Sequence, residues 1–270
     1  EHTTSEVYYF NKNEIKPEPK IILKRKEGVQ YSLDSWNGYF WMHTNQDAKD
    51  FKISRCKHGN INKWEDYIPA KEETLIGGFV LLNNWMIRSE RIDAMPKLFI
   101  RNLKTNKEEE LKISNEEIIN PGISLMQKDK DTDVIRVSYE SPKTPDRTYE
   151  YNIATKDKKL VKELEIPSGY NRDEYIVKRV NCEAHDGRKI PITITYHKDT
   201  KLDGTANLLL YGYGSYGHTI SPSFSTTRLS LIDRNIIWAT AHIRGGMERG
   251  MKFWEEGKML NKKNTFKDYI

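Results

Sequence analysis

Asn-Leu-Leu-Leu-Tyr-Gly-Tyr-Gly-Ser-Tyr-Gly occupies residues 207–217. Its leucines, at positions 208–210, form an apolar run that predicts a buried strand. Gly212, Gly214 and Gly217 follow at once. A strand that runs into glycines usually enters a tight loop, where the backbone takes an unusual shape or approaches a ligand closely. The tyrosines between these glycines have aromatic bodies and polar tips, so the loop can both line a pocket and donate a hydrogen bond.

Several interpretations of this glycine loop compete. The three glycines match the dinucleotide-binding spacing G-x-G-x-x-G, but that motif needs a helix at its third glycine, and residues 218–223 are a poor helix start. Ser215 resembles the centre of a nucleophile elbow, but the elbow needs glycine two positions earlier, where Tyr213 stands. An oxyanion and pocket loop of a hydrolase remains open, and so does a plain glycine-rich turn with structural tyrosines.

The composition favours a globular chain with a highly charged surface. At 270 residues the chain is long enough for two domains, and 11% aromatic residues suffice for a sizeable core. The net charge of +5 is mild, and lysines alternate with acids in the runs at 104–110 and 128–133, which predicts solvated loops. No basic stripe is interleaved with aromatic residues, so we expect no nucleic-acid partner.

The two cysteines and the hydropathy pattern point to a reducing, non-membrane environment. Cys56 and Cys182 are far apart and match no metal-ligand spacing, which favours two free thiols in a cytoplasmic protein. No apolar run approaches the roughly 18 residues of a membrane span. We therefore expect no membrane association, no metal and no cofactor.

The first part of the chain predicts repeated antiparallel strands. A hairpin is indicated over Asn37-Gly38, and second strands that begin at Tyr39, Trp85 and Val134 recur at a spacing of roughly 46 to 49 residues. A period of this size with about four strands per repeat is typical of a β-propeller, and an irregular antiparallel sandwich is the alternative. The predicted strands are 7–10, 31–36, 39–44, 51–56, 74–82, 85–91, 97–103, 123–127, 134–141 and 147–155.

From about residue 173 the pattern changes to strands that alternate with helices. A strand at 236–243 runs, like the first, into glycines at Arg244-Gly245-Gly246. Strands of this kind with glycine loops at their ends predict an α/β sheet that binds its ligand at those ends. A last helix is predicted to begin at Phe266, with Asn264 or Thr265 as its cap. The other predicted elements are a hairpin of 175–182 and 189–197 across Asp186-Gly187, and helices at 228–233 and 248–256.

The tyrosine-glycine run, with His242-Ile-Arg-Gly-Gly246 some 30 residues later, closely resembles the prolyl oligopeptidase family of serine peptidases. The resemblance extends over essentially the whole chain. It implies a partial β-propeller, about three to four blades of a seven-bladed one, over residues 1–172. The N-terminal part of an α/β-hydrolase domain would follow over residues 173–270. Further supporting segments are Tyr-Ser-Leu-Asp34, Trp-Glu-Asp-Tyr-Ile-Pro69, Asp-Gly-Arg-Lys-Ile-Pro-Ile192, Arg-Leu-Ser-Leu-Ile-Asp-Arg234 and Lys-Lys-Asn-Thr-Phe-Lys-Asp-Tyr269.

The resemblance also implies an activity, namely hydrolysis of short peptides after Lys or Arg by a Ser-Asp-His triad. Tyr213 matches the family tyrosine whose hydroxyl helps to form the oxyanion hole, and a fixed O–H donor on a rigid loop can stabilise charge that develops in a transition state. Tyr216 matches a position that lines the pocket for the residue before the scissile bond. These two residues are the predicted catalytic and pocket side chains of the loop.

Four further positions are implied to belong to the substrate site. Ser221 and Ser223 match positions where many members with this specificity carry aspartates, which favour a second basic residue in the substrate. A neutral hydroxyl gives no ion-pair attraction to Lys or Arg, so the resemblance does not imply a dibasic preference here. Arg244 and Glu248 match the second loop motif, which departs from the family at Met247, and Arg244 is interpreted as a loop organiser that forms ion pairs.

The triad itself is absent from these 270 residues, since the family's Gly-x-Ser-x-Gly elbow and its Asp and His would lie after Ile270. We expect a truncated chain that is inactive alone, because it has no nucleophile–base pair. Two alternatives are a split enzyme, in which a second chain docks onto the strand ending at Ile243, and a non-catalytic propeller-type binding module or gene remnant. The histidines at 185, 197, 218 and 242 are mostly expected on the surface or in loops.

Overall fold

The computed structural model describes residues 3–124 and 130–270. This described region contains three four-stranded antiparallel sheets in which consecutive strands are neighbours, as expected for propeller blades. Their second strands begin at Tyr39, Trp85 and Val134, as predicted. A short pair, β1 (Tyr8–Tyr9) and β2 (Lys20–Ile21), precedes them. The first blade is β3 (Tyr31–Trp36), β4 (Tyr39–Thr44), β5 (Lys52–Lys57) and β6 (Glu65–Ile68); the second is β7 (Thr74–Leu81), β8 (Trp85–Ile92), β9 (Met95–Asn102) and β10 (Glu108–Glu110); the third is β11 (Asn120–Ser124), β12 (Val134–Ser141), β13 (Thr144–Asn152) and β14 (Lys158–Glu163).

The blades pack face to face through apolar side chains. Ile53 of the first blade and Met86 of the second share one fully buried cluster. Ile87 of the second blade and Val137 of the third share another. Burial alternates along β12, because successive side chains of a strand point to opposite faces. This shared packing between neighbouring blades favours a propeller over the sandwich alternative.

Sequence reasoning missed the outermost strand of every blade. At least half of the residues in each of β6, β10 and β14 are charged, so no apolar alternation marks these strands. Charged side chains are common on edge strands because they discourage pairing with other chains. The run at 104–110 therefore ends in a strand and not in a loop, which corrects that prediction.

One predicted strand and one predicted loop touch residues that the structure does not describe. The strand expected at 123–127 begins earlier, at Asn120, and its last three positions lie outside the described residues. Two residues of the charged run at 128–133 also lie outside them.

The C-terminal part contains a mixed four-stranded sheet with the order β15-β16-β18-β17. β15 and β16 form the predicted hairpin, and β16 pairs antiparallel with β18. β17 and β18 are parallel and are connected through α1, which confirms the predicted α/β character. The elements are β15 (Tyr175–Glu183), β16 (Lys189–His197), β17 (Leu208–Tyr211), α1 (Thr226–Ile232), β18 (Ile237–Ala241), α2 (Gly250–Glu255) and α3 (Lys262–Lys267), with 3-10 turns at Arg172–Glu174 and Met259–Asn261.

Two predicted helices have other boundaries. α2 begins at Gly250 and not at residue 248, because the backbone of Arg249, with φ −122° and ψ 40°, is not helical. The last helix does not begin at Phe266. It occupies Lys262–Lys267, and Thr265, proposed as its cap, lies inside it. No helix in the described ranges is long and apolar enough to cross a membrane.

The edges of the mixed sheet correct the predicted docking position of a second chain. β18, the strand that leads to Ile243, lies between β16 and β17, so both of its edges are hydrogen-bonded. A further strand cannot pair with it. The outer strands are β15 and β17, and Leu208 and Tyr211 of β17 are 54% and 45% exposed. The prediction of a buried strand at 208–210 is therefore wrong, because this strand lies at the edge of the sheet.

Candidate functional site

Two loops lie side by side at the carboxyl ends of the parallel strands. The tyrosine loop, residues 212–217, follows β17, and the arginine loop, residues 244–248, lies shortly after β18. The Gly217 N–H donates to the Gly245 carbonyl at 2.9 Å. Because the two strands are parallel neighbours, the loops that leave them meet at one edge, where sheets of this type bind ligands.

Glycines allow the two backbones to approach this closely. A Cβ on Gly214 would lie 2.7 Å from the Arg244 carbonyl oxygen, and one on Gly245 would lie 2.1 Å from the Gly214 carbonyl oxygen. Both glycines have positive φ, +61° and +99°, which residues with side chains rarely adopt. No helix begins at Gly217 in the described structure, since α1 starts at Thr226. The glycine spacing therefore serves loop-to-loop contact and does not form a dinucleotide fingerprint.

Helix α3 holds the two loops from beneath. The Lys262 ammonium donates to the Ser215 hydroxyl at 2.6 Å and to the Gly214 carbonyl. The Thr265 hydroxyl lies 2.8 Å from the Arg244 carbonyl and 3.0 Å from the Gly257 carbonyl. Ser215 is thus engaged in a structural contact, as the failed elbow spacing indicated.

Arg244 is the anchor of the arginine loop. Its side chain is 3% exposed and donates to both oxygens of Asp268, at 2.6 to 3.1 Å, and to both oxygens of Asp186, at 2.6 and 3.2 Å. These bonds connect the loop to the end of α3 and to the turn between β15 and β16. The guanidinium holds the pKa of Asp186 down at about 2. Arg244 therefore forms the ion pairs expected of a loop organiser and is not among the residues that line the cleft. Its place among the predicted substrate-binding residues stays a prediction.

Glu248 lies beneath the tyrosine loop. It is 1% exposed, and one carboxylate oxygen accepts the Ile220 N–H at 3.1 Å, whereas Oε2 has no partner among the described atoms. Burial raises the pKa of Glu248 to about 7. Glu248 is not among the residues that line the cleft, and its predicted substrate-binding role stays a prediction.

The raised pKa of Glu248 predicts a pH-dependent stability. Because its pKa is about 7 when folded and 4.5 ordinarily, its contribution is full below pH 4.5 and is lost as the pH rises through 7. The free energy of unfolding should fall by at most about 3 kcal/mol over this window. Glu248→Gln can still accept the Ile220 N–H without carrying a charge, so the variant should become more stable than the wild type above pH 7.

Urea unfolding from pH 4.5 to 8.5 tests this difference, with Glu72→Gln as the control because Glu72 is exposed. Parallel pH profiles for Glu248→Gln and the wild type would contradict a buried, titrating Glu248.

The tyrosine loop forms one wall of an open cleft. The cleft has a volume of about 830 Å³, within the range typical of small-ligand sites. Tyr213 is 46% exposed, its ring packs edge-on against His218 at 5.7 Å, and its hydroxyl has no partner among the described residues. Tyr216 is 89% exposed and has a φ of +55°. The lining residues are Tyr211, Tyr213, Tyr216, Gly217, His218, Thr219, Ile220, Ser221 and Ser223.

The second propeller blade contacts this site through the turn between β8 and β9. The Ala94 N–H donates to the Glu248 carbonyl at 2.8 Å, and Asp93 forms an ion pair with Arg249. In the first blade, Asp50 accepts the Met251 N–H at 2.6 Å at the start of α2. Propeller residues therefore hold the segment that follows the arginine loop.

The histidines at 185, 197, 218 and 242, which were mostly expected on the surface or in loops, do not all have such surroundings. His242 is 1% exposed, which differs from the surface or loop position expected for most of them. Its Nε2 lies 2.9 Å from the Thr193 hydroxyl, and burial lowers its pKa to about 3, so the ring is neutral. His242 is therefore a core residue. The described His, Cys, Asp and Glu side chains form no group of three or more that could hold a metal.

Several residues that build the site carried no signal in the sequence. Asp186 was recognised only as part of a hairpin turn, although Arg244 had been assigned an ion-pairing role. Asp268 and Lys262 lie in a segment predicted as a plain helix start and its flank. Their roles depend on which elements meet in space, so sequence spacing could not assign them.

Comparison with known families supports the resemblance that the sequence motifs indicated. A family described as the N-terminal β-propeller domain of prolyl oligopeptidase matches residues 1–164. The chain belongs to the prolyl oligopeptidase family. The family's peptidase domain matches residues 222–270, so the α/β part is covered from just before α1.

Relatives within the prolyl oligopeptidase family are peptidases. Dipeptidyl aminopeptidase BI of Pseudoxanthomonas mexicana is 36% identical over 254 residues, which cover 93% of this chain and 35% of the relative. Protease 2 of Moraxella lacunata is 28% identical over 268 residues, which cover 99% of this chain and 38% of the relative.

Solved structures extend the comparison to the fold. Oligopeptidase B from Trypanosoma brucei, in a closed form with covalently bound antipain, superimposes with a TM-score of 0.91 at 28% identity. Oligopeptidase B from Leishmania major gives 0.89 at 27% identity. Each match covers 99% of this chain and 39% of the other. Within the family the chain is thus similar to oligopeptidase B, also called protease II, and it spans well under half the length of these relatives.

Proposed function

We propose that this chain supplies the oxyanion side and one wall of the substrate cleft of a serine oligopeptidase that cleaves short peptides after Lys or Arg. Tyr213 is the oxyanion donor and Tyr216 is a pocket wall. Ser221 and Ser223 contact the substrate further along the cleft, and Arg244 and Glu248 hold the loop from beneath. We also propose that the chain divides into a partial β-propeller, residues 1–172, and the first part of an α/β-hydrolase domain, residues 173–270.

The observation that carries the proposal is the free hydroxyl of Tyr213 on a loop fixed from three sides. Gly245, Lys262 and the Glu248 carboxylate hold the tyrosine loop and the residues just after it. A donor that is held in place and not used by the protein can stabilise a developing oxyanion without reorganising. The specificity for Lys or Arg rests on the similarity to oligopeptidase B.

The first test is direct. The 270 residues contain no Gly-x-Ser-x-Gly, so the purified chain should not hydrolyse a short peptidyl-arginine amide that releases a fluorescent amine. Turnover that copurifies with the chain and is blocked by a serine-directed inhibitor would overturn the proposed inactivity. The same assay on an active oligopeptidase B provides the positive control.

A second candidate is a split enzyme, favoured by the exposed apolar outer strand β17. Leu208, Leu209 and Tyr211 on this strand are 54%, 36% and 45% exposed. A second chain that carries the Ser-Asp-His segment would pair with this strand. Mixing the chain with the C-terminal segment of Protease 2 should then generate arginyl-amidase activity, and a Leu209→Pro substitution should reduce it because proline interrupts strand pairing.

A further inference from the structure

The two serines of the cleft are each backed by an arginine. The Arg91 guanidinium, from β8 of the propeller, donates to the Ser221 hydroxyl at 3.2 Å. The Arg228 guanidinium, from α1, donates to the Ser223 hydroxyl at 2.9 Å and to its carbonyl at 2.8 Å. Two cations from different parts of the fold therefore reach the same end of the cleft.

Neither arginine is neutralised by an ion pair. In the described parts of the chain no carboxylate lies within 4.0 Å of the guanidinium of Arg91 or Arg228, and the second Arg91 nitrogen donates to the Ala94 carbonyl at 3.2 Å. The acids that influence them electrostatically are Glu248 for Arg91 and Glu140 for Arg228, and neither forms an ion pair with its arginine. Glu248 accepts the Ile220 N–H and keeps an unpartnered Oε2 among the described atoms, and Glu140 accepts the Phe224 N–H and the Asn120 amide. Burial lowers the pKa of both arginines, because the charged form loses hydration on leaving water.

The hydroxyl groups of Ser221 and Ser223 are free to donate their protons into the cleft. Each hydroxyl has one proton and accepts from an arginine, which can only donate. No acceptor for the Ser221 or Ser223 proton is found among the described residues. Both O–H groups can therefore point at a ligand, with positive charge directly behind them, and this combination favours an anionic acceptor.

We propose that the Ser221–Ser223 end of the cleft binds a peptide carboxylate and disfavours a basic side chain. The inference rests on the proposed peptide-binding function and adds a substrate class to it. The carboxylate can come from an Asp or Glu side chain or from the C-terminus of the peptide. A cation at this end would face two arginines, and no carboxylate is among the residues that line the cleft, so it would be repelled.

Binding to the intact 270-residue chain tests the proposal without requiring catalysis. Blocked peptides acetyl-Ala-X-Ala-amide, with X as Glu, Gln or Lys, are titrated at low ionic strength and followed by NMR chemical shifts. The Glu peptide should bind roughly tenfold more tightly than the Gln peptide, the size expected for hydrogen bonds to a charged group, and the Lys peptide should bind most weakly. The Gln peptide with a free C-terminus distinguishes the two sources of carboxylate.

Charge-changing variants locate the preference. Arg91→Gln and Arg228→Gln should each reduce the Glu-over-Gln ratio severalfold, whereas Arg136→Gln, on the third blade, should leave it unchanged. Ser221→Asp keeps Arg91 but neutralises it, so this variant should remove the preference even if an arginine variant fails to fold. Equal affinities for all four peptides, the free-C-terminus Gln peptide included, or tighter binding of the Lys peptide, would overturn the carboxylate subsite and leave the peptide cleft standing. Absence of binding by every peptide would overturn both.

Discussion

Replacing Arg244 with methionine is expected to lower the free energy of unfolding by about 3–5 kcal/mol, the usual cost of leaving a buried charge without its partner. The Asp268 side chain is 0% exposed, and its carboxylate accepts three hydrogen bonds from the Arg244 guanidinium. Methionine fills part of the space but donates nothing, so the Asp268 carboxylate would remain buried and unpaired. Urea unfolding at pH 7 measures the loss.

Two comparisons separate this effect from a general loss of charge. Arg136→Met removes an exposed ion pair with Glu150, and such surface pairs contribute little. The double variant Arg244→Met with Asp268→Asn should lose less than the sum of the single variants, because the amide no longer buries a charge. A stability loss of Arg244→Met no larger than that of Arg136→Met would contradict the anchoring role.

The Arg244 network also explains how a distant turn affects the cleft. Asp186 lies in the turn between β15 and β16 of the mixed sheet, and it pairs with the Arg244 guanidinium. The main-chain carbonyl of Arg244 accepts from the Thr265 hydroxyl. Gly214 and Gly245 bring the two loops into backbone contact, so the arginine loop supports the tyrosine loop. The cleft wall is thus set by ion pairs that do not touch it.

The sequence predicted the regular parts of this fold well for a physical reason. The hairpin at Asn37-Gly38 follows from two residues that tolerate positive φ, here +50° and +77°. The apolar alternation of β12 predicted its boundaries as observed, from Val134 to Ser141. These signals are local, so a single sequence contains them.

The remaining features depend on contacts between distant residues. β10 pairs with β9, and its Glu108 forms an ion pair with the buried Arg88, whereas nothing in its own sequence favours a strand. The same holds for the candidate site. The glycine loops and their tyrosines were predicted from the motif, whereas Arg91 and Arg228 were not. Their importance arises only where the propeller and α1 meet the cleft.

Tyr213→Phe is expected to reduce kcat by roughly 10²- to 10³-fold, because this is the usual effect of removing one donor from an oxyanion hole. The measurement uses an enzyme in which this chain is joined to the C-terminal segment of Protease 2. KM should change little, since the donor acts on charge that appears only in the transition state. The hydroxyl has no partner among the described residues, so the free energy of unfolding should stay the same.

Tyr211→Phe is the matched control for this prediction. Tyr211 lines the same cleft, is 45% exposed compared with 46% for Tyr213, and belongs to the preceding strand. If phenylalanine at either position reduced kcat equally, the hydroxyl of Tyr213 would have no special relation to the reacting carbonyl. A loss confined to Tyr213→Phe, with unchanged stability, is the pattern that only a transition-state donor produces, because a structural tyrosine would alter folding and a binding tyrosine would alter KM.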